Sequence, residues 1–145
     1  MKEELKRRLL RHLSFLEEEL KDYSKFKKLT HHEYMSNIDK RRNVERWVEN
    51  IINSSIDVSK VILTIEGKNI PDSYKEIVLS LSLIKGLKFN TAEPLSRWVR
   101  LRNIISHEYL DIRWFSIQKF ILETKPLYDD LLEKAKSYLE KKITK

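Results

Sequence analysis

The residues with the most chemical capacity lie together late in the chain, in Arg97-Trp98-Val99-Arg100-Leu101-Arg102-Asn103-Ile104-Ile105-Ser106-His107-Glu108-Tyr109. This dense polar group interrupts an otherwise apolar-stripe helix, and its composition suits RNA strand scission without a metal ion or other cofactor. Imidazole exchanges protons near neutrality, so His107 is placed to take a proton from a ribose 2′-OH or give one to the leaving 5′-oxygen. Arg102 would set a permanent planar cation against the charge developing on the phosphorane oxygens, and Asn103 would orient the phosphate or the imidazole. One histidine cannot act as base and acid in the same step, so water or a second copy of the chain must complete the pair. DNA, lacking the 2′-OH, should resist. A blander reading stands beside this one, with the arginines as a solvated face and His107 as a helix-end residue favoured by the negative dipole there. Spacing alone leaves both open.

At 100° per residue Arg100, Asn103 and His107 share one helix face, Arg102 shares another with Tyr109, and Arg102 and His107 stand about 140° apart. They converge only if the helix ends near Ser106, if Arg102 reaches across, or if two copies contribute to one cleft. The expectation is therefore a site at a helix end and at a dimer interface.

The other candidates are weaker. His12 sits among charged residues and reads as surface. His31 and His32 are adjacent, so their side chains diverge in any regular element, and no carboxylate cluster with metal-ligand spacing accompanies them. The chain has no cysteine, which excludes disulfide scaffolds, thiol catalysis and cysteine metal sites and fits an intracellular, cytoplasmic location. Gly67 and Gly86 are its only glycines, too few for a P-loop or dinucleotide fingerprint. The mixed-charge opening Met1-Lys2-Glu3-Glu4-Leu5-Lys6 carries no apolar signal core, and no apolar run has the length to cross a bilayer.

The elements that must position the polar group are helical. Leu5, Leu9, Leu13, Leu16 and Leu20 draw one apolar stripe, and Thr30 with Glu33 has capping-box spacing for a short turn. From Asp39, read as an N-cap, Val44, Val48, Ile51, Val58, Ile62 and Ile65 keep a four-three rhythm to Gly67, with Ser55 in the polar slot. That run reads as one helix of about 28 residues, roughly 42 Å long, part of whose stripe would face a second copy; a kink near Ser54-Ser55 is the alternative. Ser73 with Glu76 opens the next element, carrying Tyr74, Ile77, Val78, Leu81 and Ile84. Thr91 is read as the N-cap of a helix that turns Leu95, Trp98, Val99 and Ile105 inward. Trp114, Ile117 and Ile121 mark a further helix, and Pro126 starts the last, with Leu127, Leu131, Ala135 and Tyr138. Residues 1–145 thus read as a single all-α domain, a bundle of five or six helices.

The motif Arg102-Asn103-Ile104-Ile105-Ser106-His107-Glu108-Tyr109 resembles the Arg-x4-His-x-Tyr signature of HEPN-domain toxins of the HepT group. The setting is similar as well: a long helix with Val44-Glu45-Arg46-Trp47 and Ser55-Ile56-Asp57, an apolar middle helix, then the motif and Asp111-Ile112. The resemblance implies a HEPN-like bundle forming a symmetric homodimer, and a metal-independent endoribonuclease that is the toxin of a toxin–antitoxin pair. By position Arg102 and His107 take the catalytic roles and Asn103 the polar place beside the arginine. The implied partner is an MntA-type minimal nucleotidyltransferase antitoxin that AMPylates Tyr109, adding bulk and negative charge where the scissile phosphate must sit. Tyr109 is expected to be half-packed at the helix end with its hydroxyl reaching solvent. The alternative within the same family is a non-catalytic dimer that binds nucleotides or a nucleotidyltransferase.

The net charge is modest for a nucleic-acid protein: 29 Lys+Arg against 22 Asp+Glu give +7. Much of the excess falls on Lys134, Lys136, Lys141, Lys142 and Lys145, a run that reads as a solvated face.

Overall fold

The 41% hydrophobic content, sparse glycine and proline, and stripes at helical spacing leave the chain one economical way to bury its apolar surface, which is helix against helix. The computed structural model describes residues 2–143. Met1 and Lys145 lie outside the described residues. Among the described residues there is no strand. The elements are α1 (Lys2–Leu20), α2 (Tyr23–Phe26), α3 (His31–Ser36), α4 (Ile38–Ile65), α5 (Tyr74–Leu79) with a 3-10 turn over Ser80–Leu83, α6 (Ala92–Trp98), α7 (Leu101–His107), α8 (Leu110–Glu123) and α9 (Lys125–Ile143). The expected bundle is present. Four long helices carry it, and the segments read as one helix over 73–84 and one over 91–105 are each divided in two.

The axis of the bundle is α4, unbroken for 28 residues. Val44, Val48, Ile51, Ile52, Val58 and Ile62 are fully buried within the chain itself, so the stripe is covered by α1, α3, α5 and α9 instead of awaiting a second copy. The kink near Ser54-Ser55 does not occur. Ser54, Ser55 and Ser59 are buried, and each hydroxyl donates to a carbonyl of the preceding turn (to Asn50 at 2.8 Å, Ile52 at 2.6 Å and Ser55 at 2.7 Å), which satisfies them without breaking the ladder. The N-cap is Asn37 and not Asp39: its Oδ1 accepts from the amides of Asp39 and Lys40, leaving Asp39 in the first turn, where a carboxylate still favours the dipole. At the other end Gly67, with φ +68°, lets the amides of Gly67 and Lys68 bond back to Thr64 and Leu63, a Schellman closure.

Leu9, Leu13, Leu16 and Leu20 pack α1 antiparallel along α4, fixed by the Trp47 indole N–H donating to the Glu19 carbonyl at 2.8 Å. Across the other side α9 is pinned by Lys136 to Glu17 (2.7 Å) and by Tyr138 and Lys142 to Glu66, so part of the lysine run serves to dock the last helix. Burial works against the Glu66 carboxylate, yet those two partners hold it below its ordinary range. An edge-to-face aromatic knot joins α2, α4, α6 and α8, with Tyr23 and Phe120 set against the Trp47 ring and Trp98 against Phe120. Thr91 does not cap α6; its hydroxyl donates to Asp130 of α9 at 2.8 Å.

Candidate active site and basic groove

The segment that holds the candidate residues departs from regular α-helix. Between α6 and α7 the amides of Val99, Arg100, Arg102 and Asn103 bond three residues back, to Ser96, Arg97, Val99 and Arg100, so the backbone tightens toward 3-10 geometry without leaving the helical region. That overwinding changes the phase on which an ideal-helix projection depends. Arg100, Arg102 and Asn103 consequently line one cavity of about 550 Å³, together with Arg97 and Lys75, and no carboxylate is among its lining residues. His107 is not in that lining.

Arg102 reaches toward α5, not along its own helix. Its guanidinium carbon lies 4.8 Å from the centre of the Tyr74 ring, and the Lys60 ammonium from α4 lies 5.3 Å from the same centre. Neither cation is in an ion pair among the described residues. Tyr74 shares the spacing of the apolar stripe, yet it is 48% exposed, because it is the first residue of α5 and only Ile77, Val78, Leu81 and Ile84 reach the core.

His107 is the last residue of α7, so the helix does end where convergence requires. Glu108 and Tyr109 are extended, and α8 begins at Leu110, which removes Tyr109 from any shared face with Arg102. Tyr109 is 81% exposed, not half-packed. No hydrogen bond or ring contact joins Arg102 to His107 among the described residues.

The turn after His107 is nevertheless fixed. Arg113, one turn into α8, donates through Nε to the Glu108 carbonyl at 2.7 Å and through Nη1 to Glu45 of α4 at 3.3 Å. Glu45 also accepts from the buried Tyr34 hydroxyl, and burial together with that carboxylate holds the phenol protonated well above its ordinary range. The chain Tyr34, Glu45, Arg113, Glu108 thus ties the residue after His107 to the bundle axis.

The remaining histidines stay outside this arrangement. His31 stacks on Trp114 with centroids 5.8 Å apart, and His12 lies 4.0 Å from Asp57. Among the described residues no three His, Cys, Asp or Glu side chains are grouped to hold a metal ion, and no helix is long and apolar enough to cross a membrane.

Over residues 16–135 the sequence matches the family described as Ribonuclease HepT-like. The chain belongs to the HepT-like ribonuclease family. No curated protein matches it. The match spans α2 to α8 whole, with parts of α1 and α9, and so takes in both the Arg102–Tyr109 motif and the α4 framework on which the resemblance rested. Family membership makes RNA the substrate class. Within this HepT-like chain, sequence reasoning missed Lys60, Tyr74 and Arg113. Arg113 carried a legible signal, a basic residue four positions after the motif tyrosine and able to reach back over the first turn of its helix. Lys60 and Tyr74 meet only through tertiary packing of α4, α5 and α7.

Proposed function

We propose that the chain is the toxin of a toxin–antitoxin pair, a cytoplasmic metal-independent endoribonuclease that works as a symmetric homodimer. The observation that carries this reading is the separation of two groups the reaction needs: Arg102 stands in the basic groove, while His107 sits exposed at the end of α7, outside the groove lining, on a turn that Arg113 locks. A two-fold axis would bring the partner's His107 to the groove of each copy. An exposed apolar stripe supports such pairing, for Ile112, Phe115 (68% exposed) and Leu122 (66% exposed) share one face of α8, directly after the motif.

In the reaction the partner's His107 takes the 2′-OH proton while the oxygen attacks the adjacent phosphorus. Water protonates the departing 5′-oxygen. The products are a 2′,3′-cyclic phosphate and a 5′-hydroxyl. Arg102 stabilises the charge on the non-bridging oxygens, and Asn103, in the same groove, orients the phosphate.

The exposed Tyr109 suits modification by an MntA-type nucleotidyltransferase. Its oxygen would bond to the α-phosphorus of ATP, pyrophosphate would leave and the phenol proton would pass to the transferase. The added phosphate would repel RNA from the adjacent motif.

The test is labelled RNA incubated with the purified chain in excess chelator. Fragments ending in cyclic phosphate, lost in His107→Ala with helicity unchanged, are expected; undiminished cleavage by that variant would contradict the assignment. Intact RNA together with tight binding of a nucleotidyltransferase would favour the non-catalytic dimer instead.

A further inference from the structure

A second cavity, of about 260 Å³, adjoins the first, and Tyr74 and Arg102 line both. Its other polar residues are Asn53, Asp57 and Lys60 from α4. The Tyr74 ring therefore stands as a wall between two compartments, with a cation from α7 and a cation from α4 drawn to it. Holding two like charges around one ring without a carboxylate partner for either is unfavourable in the free protein, and cation–π attraction offsets it only in part. An anion offsets the rest. Asp57, the carboxylate in the smaller lining, is turned toward His12, at 4.0 Å, and forms no ion pair with Lys60.

We propose that Lys60, organised by Tyr74, forms a phosphate subsite for the RNA strand next to the one Arg102 serves. Successive phosphates of one strand then lie on either side of the Tyr74 ring, one in each compartment. This rests on the ribonuclease reading for its substrate but not for its geometry. The larger compartment, with Arg97, Arg100 and Lys75, falls in the range of a ligand-sized pocket, roughly 300–1,000 Å³, and the smaller just below it. Lys60 is thus a binding residue and Tyr74 a positioning residue.

The experiment measures binding of a fully 2′-O-methylated RNA oligonucleotide, which cannot be cleaved by 2′-OH attack, to the full chain over a range of salt. Lys60→Met should weaken binding and lower the slope of log affinity against log salt by about 0.7, the loss of one phosphate contact on a single strand. Tyr74→Leu should reproduce most of that loss and Tyr74→Phe should restore it, since the phenylalanine ring keeps the cation contact. Asp57→Asn should tighten binding. With cleavable RNA, Lys60→Met should raise KM and leave kcat nearly unchanged. Unchanged affinity and salt slope in Lys60→Met, with cleavage by the unmodified chain intact, would overturn the subsite and spare the ribonuclease reading. A Lys60-dependent salt slope in a chain that cleaves no RNA would do the reverse. Displacement of the oligonucleotide by equimolar ATP would overturn the strand assignment in favour of a mononucleotide site.

Discussion

The layer made by α1, α4 and α9 and the segment from α5 to the start of α8 are built on opposite terms. In the first, long helices bury most of their stripes and spend their charges on one another, as Lys136 does on Glu17 and Lys142 on Glu66. In the second, helices of six or seven residues leave arginines, a lysine and two tyrosines facing solvent, and neither Arg102 nor the Lys60 that α4 presents to the same ring is in an ion pair among the described residues. Short helices cannot sustain themselves, so this segment is held by what α4 and α8 supply. The difference teaches that rigidity and reactivity are assigned to separate regions, with Arg113 and Glu45 as the link between them.

Substitutions on the two sides should therefore fail in different ways. The largest effect expected is on cleavage: His107→Ala should lower the rate by about 10²–10⁴ while leaving unfolding within about 0.5 kcal/mol, read from initial rates and a urea titration. In the long-helix layer Ile62→Ala should cost about 2–5 kcal/mol in the same titration and leave the rate per folded molecule unaltered. Arg113→Ala tests the link. It should lower kcat about ten- to hundredfold with KM nearly constant, and Lys at that position should not rescue it, because a single ammonium does not reproduce the forked contact to the Glu108 carbonyl and Glu45.

Smaller effects should appear at the periphery. Glu33 caps α3 and is held down to about 2 by the hydrogen bond from Lys40, with the Thr30 amide and hydroxyl adding to it. Its contribution is present above the ordinary glutamate range and is lost as pH falls toward 2. Amide exchange in α3 should accelerate over that window, and less so in Lys40→Met. Smallest of all, Tyr128→Phe should be neutral or stabilising by up to about 1 kcal/mol, since its fully buried hydroxyl has no hydrogen-bond partner among the described residues.

What was legible in the sequence follows the same division. The leucine stripe of α1, the rhythm of α4, its glycine closure and the capping box at Thr30 are all local signals, and each holds in the structure. The 28-residue length of α4 was also legible. Its purpose was not, because burial by α1, α3, α5 and α9 is a tertiary fact. In the α6–α7 region an ideal 100° projection failed once the backbone tightened at Val99–Asn103, and Tyr74, a stripe residue by spacing, proved to be the wall of a groove. The motif itself was readable as a string of types. Which of its members face one cavity depended on a half-turn of helix that no spacing rule records.

The most direct test of the central claim, that each site takes Arg102 from one copy and His107 from the other, is complementation. Inactive Arg102→Ala and His107→Ala chains are mixed, unfolded and refolded together. A heterodimer of the two then holds one site with both groups intact, and random pairing should return about a quarter of the unmodified activity. A mixture as inactive as its components, with heterodimers verified by mass, would contradict the account.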